Sequence, residues 1–171
     1  MDPDPDISIQ ITCEAWRRDV ADAEDRCCLA VREALREAGG PVGEVSVVLT
    51  DDHEIQTLNR TFRGRDEPTD VLAFEAGGTP DGVLDHDAPN ILGDVVVAHG
   101  TALGEKSRKH RVSPADHLSH LVVHGTLHLL GYDHQNDDDA RIMEALEVEV
   151  LSRLGIADPY YDDETTALPG E

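Results

Sequence analysis

Cysteine, basic residues and long apolar runs are all scarce in this sequence of 171 residues. It has three cysteines, Cys13, Cys27 and Cys28, whose odd number and spacing fit neither a disulfide framework nor a cysteine-based zinc motif. This usage is typical of a reducing compartment. No apolar run approaches the ~20 residues that a membrane span requires, and the first residues lack the basic and apolar regions of a signal peptide. We therefore expect a soluble, cytoplasmic protein with no membrane partner.

Basic residues number 14 against 36 acidic ones, which gives a formal net charge of −22 at pH 7. This charge argues against broad, non-specific binding to nucleic acid, because the phosphates would be repelled. The few basic residues are nevertheless clustered: Arg60, Arg63 and Arg65 form one cluster, and Lys106, Arg108, Lys109 and Arg111 form another. Each cluster is either ordinary solvated surface or a local docking site for a polyanion, and composition alone does not decide between them.

Apolar periodicity predicts a single α+β domain over 1–171, with an ordered core at about 7–156 and flexible tails at 1–6 and 157–171. Strands are expected at Ile7–Ile11, Glu44–Thr50, Val71–Ala76 and Ile91–Ala98, and the last, nearly all apolar, should be central in the sheet. Helices are expected at 23–38, at 51–63, between Ser113 and Gly131, and from Asn136 to Gly155. We expect one mixed sheet of about four strands packed with about five helices, and a mobile loop at 77–89.

The predicted helix between Ser113 and Gly131 carries four histidines on one face, because an α-helix turns about 100° per residue. They are His117, His120, His124 and His128. His120 and His128 lie roughly 12 Å apart along the axis, too far for one zinc ion whose bonds to nitrogen are about 2.1 Å long. Histidines four residues apart can share an ion, which leaves His120 with His124, or His124 with His128.

A third histidine decides between these pairs. His134 follows the glycine stop closely and can fold back beside His128, so the predicted metal ligands are His124, His128 and His134, at the end of the helix. Three neutral imidazoles leave a fourth position for water, which is the pattern of a catalytic zinc site. The alternative is an ordinary surface helix rich in histidine. For His117 and His120 we favour that alternative, or at most a supporting or substrate-facing role.

Position 125 distinguishes this helix from the peptidase motif H-E-x-x-H, in which the glutamate is the general base. Gly125 stands there and supplies no carboxylate. Glycine inside a helix costs roughly 1 kcal/mol relative to alanine, which indicates a close approach by another backbone or by substrate. A metallopeptidase is therefore the less favoured enzyme alternative, and chelator-sensitive cleavage of an unfolded protein would support it.

The stretch from His124 to His134 closely resembles the signature of the YbeY family of bacterial ribosomal RNA maturation factors. The segments 58–74 and 92–97 resemble two further blocks of that family, so the resemblance covers about residues 45–155. Ala73 and Glu75 depart from the family, which usually has Ser and often has Pro at these positions. The resemblance implies a zinc-dependent, single-strand-specific endoribonuclease that acts in processing and quality control of small-subunit ribosomal RNA.

The resemblance also assigns roles to residues. It places the three metal histidines at the positions given above, with one zinc (or another divalent metal such as nickel) per chain, and a functionally important arginine at Arg63. We expect Arg63 and His124 to be catalytic, with the arginine clamping a phosphate, although Arg63 could instead cap helix carbonyls or pair with Asp66. The predicted substrate contacts are Arg60, Arg63, Arg65, Lys106 and Arg108.

Expected partners are single-stranded RNA, ribosomal RNA or the small ribosomal subunit, and a ribosomal protein or GTPase. The non-enzymatic alternative is a ribosome-assembly or RNA-binding factor with structural zinc, in which His124→Ala would lower stability and metal content together. The general base is open between Asp133 and a histidine outside the metal shell, and attack by water or by a ribose 2′-OH is equally open.

Overall fold

A computed structural model of the chain describes residues 6–39, 43–76, 91–104 and 112–159. The predicted loop at 77–89, the second basic cluster and most of both predicted tails lie outside the described residues. Of the described helices, none is both long enough and apolar enough to cross a bilayer.

Four strands form one mixed sheet in the order β1-β2-β4-β3. They are β1 (Ile7–Ile11), β2 (Glu44–Thr50), β3 (Val71–Glu75) and β4 (Ile91–Ala98). Strands β1, β2 and β4 are parallel, and β3 lies antiparallel to β4 at the edge. The prediction that the most apolar strand is internal is confirmed, because β4 lies between β2 and β3 and is buried from Val95 to Ala98.

Six helices lie in the described part of the chain: α1 (Ala15–Asp19), α2 (Ala23–Ala38), α3 (Asp52–Arg63), α4 (His99–Ala102), α5 (Pro114–Leu129) and α6 (Asp137–Arg153). The α+β class is confirmed, with two short helices, α1 and α4, beyond those that the periodicity indicated. Helix α1 is anchored by the fully buried Trp16, whose indole N–H donates to the carbonyl of Thr50 at 3.1 Å.

Side-chain caps define where three of the helices begin. The side chains of Asp51, Ser113 and Asn136 each accept a hydrogen bond from the backbone N–H three residues further on. Each cap satisfies one of the N–H groups that the first turn of a helix leaves without a partner. Because these caps are adjacent in sequence to the helices that they start, the predicted beginnings of α3, α5 and α6 are confirmed to within about a residue.

Helices cover both faces of the sheet. Helices α2, α5 and α6 supply the main core on one face, and α5 packs directly against β3 and β4. On the opposite face, Ile55 and Leu58 of α3 pack with Val96 of β4 and Phe74 of β3. The edge strand β3 therefore separates α3 from the histidine-bearing helix α5.

Two large apolar side chains on the predicted helices are largely exposed. Phe62 at the end of α3 is 48 % exposed, and Ile142 on α6 is 54 % exposed. The buried stripe of α6 instead consists of Met143, Glu147, Val150 and Leu151. The predicted helix gave no role to Glu147, whose carboxylate lies at the centre of this buried stripe.

Candidate metal centre and substrate groove

The end of α5 brings three histidines together. His124 and His128 lie one turn apart, and their Nε2 atoms are 3.1 Å from each other. Gly131, with φ of 98°, then reverses the chain, and the backbone N–H of Tyr132 donates to the carbonyl of Leu127 at 3.1 Å. This turn returns His134 to the helix, with its ring centre 5.6 Å from that of His124 and 5.1 Å from that of His128.

The three side chains fit a single metal ion. Each offers a ring nitrogen, and these three nitrogens lie within 4.8 Å of one another. Tetrahedral zinc with bonds of about 2.1 Å separates its ligand atoms by about 3.4 Å, close to the spacing of the His124 and His128 nitrogens. His134 lies on the exposed side of the cluster. His124, His128 and His134 could therefore hold a metal ion.

The surroundings of His128 favour the neutral form that a metal ligand needs. Burial lowers the pKa of His128, and the neighbouring rings of His124 and His134 lower it further. The carboxylate of Asp133 and a backbone hydrogen bond oppose this change. The Asp133 carboxylate is itself held by the backbone N–H of His134, at 2.7 Å. An imidazole with a lowered pKa keeps a free lone pair at neutral pH.

Glu147 is part of this site although the sequence did not indicate it. Its side chain is completely buried, and one carboxylate oxygen contacts Nδ1 of His124. The other oxygen is 3.5 Å from Nε2 of His120. His120 thus lies outside the three-histidine cluster but contacts Glu147, the residue that contacts His124. The available signal in the sequence was a single charged residue at the centre of the apolar stripe of α6.

Gly125 lies where α5 comes closest to the sheet. A Cβ atom at this position would lie 2.6 Å from Cγ1 of the buried Val95 on β4. A close approach is therefore present, but the neighbour is the Val95 side chain of the sheet and not the backbone or substrate that the sequence suggested. A glutamate at position 125 would collide with β4, so the general base of the peptidase motif has no place in this arrangement.

A groove of about 870 Å³ joins the histidines to Arg63. It extends along β3 and is lined by Phe62, Arg63 and Phe74 as well as by His124, His128 and His134. The guanidinium of Arg63 donates to the carbonyl of Ala73 on the free edge of β3 at 2.6 Å, and it lies 5.1 Å from the centre of the Phe74 ring.

The other charges near the groove differ in their positions. Asp66 is bound by Arg60 at 3.8 Å and by Gln56 at 3.0 Å, so it is not the partner of Arg63. Arg65 pairs with Glu67 at 3.8 Å, and both pairs are largely exposed. Neither Arg60 nor Arg65 is among the described residues that line the groove. Lys106 and Arg108 lie outside the described residues.

Three carboxylates, Asp70, Glu75 and Asp94, also line the groove. Partial burial raises the pKa of Asp94, because the charged form is less well solvated there than in water. These carboxylates face the same space as the Arg63 guanidinium.

Comparison with known proteins identifies the family. The family model for endoribonuclease YbeY matches residues 8–155. A protein named endoribonuclease YbeY from Paramagnetospirillum magneticum is 47 % identical over 157 residues, covering 91 % of this chain and 95 % of the relative. Another of the same name, from Azorhizobium caulinodans, is 44 % identical over 169 residues, covering 97 % of this chain and 99 % of the relative.

A solved structure supports the fold. The solution structure of TM1509 from Thermotoga maritima has a TM-score of 0.52 and 27 % sequence identity to this chain, and the match covers 85 % of this chain and 86 % of that one. The predicted fold class, family and enzyme class are all confirmed: the chain belongs to the endoribonuclease YbeY family, whose members are hydrolases of RNA phosphodiester bonds.

Proposed function

We propose that this protein is a zinc-dependent endoribonuclease specific for single strands, acting in the maturation and quality control of small-subunit ribosomal RNA. The observation that carries the proposal is that one groove holds both the three-histidine cluster and the exposed Arg63. Phosphodiester cleavage requires a site for the reacting phosphate and a group that stabilises the charge developing on it. The groove brings together residues suited to both tasks.

The histidines would hold one zinc ion per chain. When bound, the ion supplies a Lewis acid for the phosphodiester. The chain contributes the rigidity of the site, because His124 and His128 are fixed on a helix that packs tightly on β4 through Gly125. His134, on the following turn, closes the cluster from the solvent side.

Arg63 would bind the phosphate. Its described bond to the Ala73 carbonyl uses one of five N–H donors, which leaves others able to pair with phosphate oxygens. The contact with the Phe74 ring and the bond to β3 hold the guanidinium at the groove before substrate arrives. A preorganised cation stabilises developing negative charge without reorganisation during the reaction.

The aromatic lining of the groove supports a single-stranded substrate. Phe62 exposes about half of its surface there, and its ring contacts that of Phe74 edge-on, with the centres 5.4 Å apart. Bases of a single strand are free to stack on aromatic side chains, whereas those of a duplex are already paired and stacked on one another.

Ribosomal RNA or the small ribosomal subunit is the proposed target, and the cytoplasm is the proposed location. A ribosomal protein or a GTPase is the proposed protein partner.

The test combines metal content with cleavage of a labelled single-stranded RNA. Wild type, Arg63→Glu, His128→Ala and the control Arg141→Glu, which makes the same charge reversal at an exposed site on α6, are compared. We expect about one zinc per chain in all but His128→Ala, and cleavage only by wild type and Arg141→Glu. If zinc-loaded wild type cuts RNA no faster than His128→Ala, the nuclease proposal is wrong and a binding protein with structural zinc becomes the better account.

A further inference from the structure

Glu147 presents a problem of charge burial that the proposed reaction does not explain. Its side chain has no exposed surface, although it lies on a helix whose neighbouring buried positions are apolar. An ionised carboxylate without water is strongly unfavourable unless hydrogen-bond donors replace the lost solvent. The groups that face the carboxylate therefore indicate what it does.

Two histidines of α5, one turn apart, face the two carboxylate oxygens. Oε1 contacts Nδ1 of His124, and Oε2 lies 3.5 Å from Nε2 of His120. An ionised carboxylate can only accept hydrogen bonds. The arrangement is satisfied when Nδ1 of His124 carries a proton and donates it to Oε1, so that the neutral ring keeps its lone pair on Nε2.

That lone pair belongs to the nitrogen on the metal side of the ring. Nε2 of His124 lies 3.1 Å from Nε2 of His128, within the three-histidine cluster. We propose that Glu147 is a positioning residue: it selects the Nδ1–H tautomer of His124 and aims the Nε2 lone pair at the metal position. The proposal rests on the proposed metal site, since a carboxylate behind a ligating imidazole fixes the orientation of the ring and increases its basicity.

His120 acquires a role in the same arrangement. Its contact with the second oxygen restricts rotation of the carboxylate about the side chain of Glu147, so that Oε1 stays directed at His124. His120 therefore supports the cluster through Glu147 without being a ligand, and the four-residue spacing of His120, His124 and His128 serves one site.

The first experiment needs no variant. The tautomer of His124 is measured from ring ¹⁵N chemical shifts in metal-free wild type, at about pH 8.5, well above the ordinary imidazole pKa of about 6.5. We expect the Nδ1–H form of His124 alone. The Nε2–H form, or an even mixture of the two, would overturn the proposal. This result is independent of whether the protein cleaves RNA.

The second experiment measures zinc affinity by competition with a chromogenic chelator. Glu147→Gln removes the charge while keeping the shape, and Glu144→Gln makes the same change at an exposed position one turn away on α6. We expect Glu147→Gln to weaken zinc binding about 10–100-fold and to yield a tautomer mixture at His124, with Glu144→Gln unchanged. Wild-type affinity and a single Nδ1–H tautomer in Glu147→Gln would show that Glu147 is only structural.

The two experiments together separate this proposal from the proposed function. If Glu147→Gln does not fold, the tautomer of wild-type His124 still decides the assignment. If wild type shows the expected tautomer and zinc affinity but no cleavage of RNA, the nuclease proposal fails while the role of Glu147 stands.

Discussion

The packing of α5 on β4 depends on a single missing methyl group at Gly125. An added Cβ would lie 2.6 Å from Val95, a buried, β-branched residue with little freedom to move away. We expect Gly125→Ala to lower the free energy of unfolding by about 1–2 kcal/mol, because overpacking outweighs the roughly 1 kcal/mol gain in helix propensity. Urea denaturation of the metal-free protein measures this change.

Two further variants test this cause: Val95→Ala, and the double variant that combines Val95→Ala with Gly125→Ala. If the collision is the cause, the two substitutions together cost less than the sum of their separate costs, because a smaller residue 95 leaves room for the new methyl group. A single Gly125→Ala variant as stable as wild type would show that α5 moves away from the sheet without cost.

Asp94 gives the groove a pH dependence. Its pKa is raised in the folded protein above the ordinary value of 3.8, so the folded state binds this proton more tightly than the unfolded chain does. The bound proton therefore stabilises the folded protein fully below the pKa of Asp94 in the unfolded chain. This stabilisation is lost as the pH rises through the pKa of Asp94 in the folded protein, so the ionised carboxylate is destabilising at neutral pH. We expect Asp94→Asn to raise the melting temperature at pH 7 slightly. The gain should shrink as pH falls toward 4, and a lower melting temperature than wild type at pH 7 would contradict this account.

Phe62 tests whether bases enter the groove. Stacking on an aromatic ring contributes about 1–3 kcal/mol per base, so Phe62→Ala should weaken binding of a short single-stranded RNA at least about fivefold. Phe62→Trp should retain the affinity, and Ile142→Ala, at another largely exposed apolar position, should have no effect. Fluorescence anisotropy with zinc-loaded protein measures all three. Unchanged binding by Phe62→Ala would place the bases elsewhere.

Among the elements, α6 matters because it places Glu147 against the three-histidine cluster, and its start depends on one cap. The side chain of Asn136 accepts from the backbone N–H of Asp139 at 2.8 Å. We expect Asn136→Ala to lower the free energy of unfolding by about 1 kcal/mol, whereas Asn136→Ser keeps a capping oxygen and should be nearly neutral. Chemical denaturation checks both, and equal losses in the two variants would mean that the side-chain amide, not the cap, is the stabilising group.

The elements that could be predicted are those whose determinants are adjacent in sequence. The caps Asp51, Ser113 and Asn136 precede their helices directly, and the histidine cluster lies within one helix and the turn after it. Helices α1 and α4 span five and four residues, too short for any periodicity to show. Trp16 anchors α1 through Thr50, a residue 34 positions away.

The supporting parts of the site escaped prediction for the same reason. The contact of His124 with Glu147 joins two helices and residues 23 positions apart. It depends on how α5 and α6 pack together, which no local pattern in the sequence specifies. The groove likewise depends on β3 being the edge strand, with α3 and α5 on opposite faces. Local chemistry predicted which three histidines cluster, whereas the order of the strands decided which other residues lie beside them.

At the scale of the whole molecule, the net charge of −22 opposes the approach of any RNA. Long-range repulsion is screened as ionic strength rises, since the Debye length falls from about 30 Å at 0.01 M to about 10 Å at 0.1 M. The proposed contacts of Arg63 with phosphate, by contrast, would act at short range after docking. Overall charge should therefore govern the association rate, and local contacts the dissociation rate.

We expect association of the protein with a short single-stranded RNA to become faster, by about two- to tenfold, as salt rises from 0.01 to 0.1 M. This is the opposite of the slowing seen when a basic surface attracts nucleic acid. Stopped-flow fluorescence measures the rate, and Arg63→Glu, which alters docking more than approach, should show a similar salt trend with faster dissociation. Association that slows with salt in wild type would mean that a local basic surface steers the RNA despite the acidic whole, and it would make the cluster at 106–111 the first place to substitute.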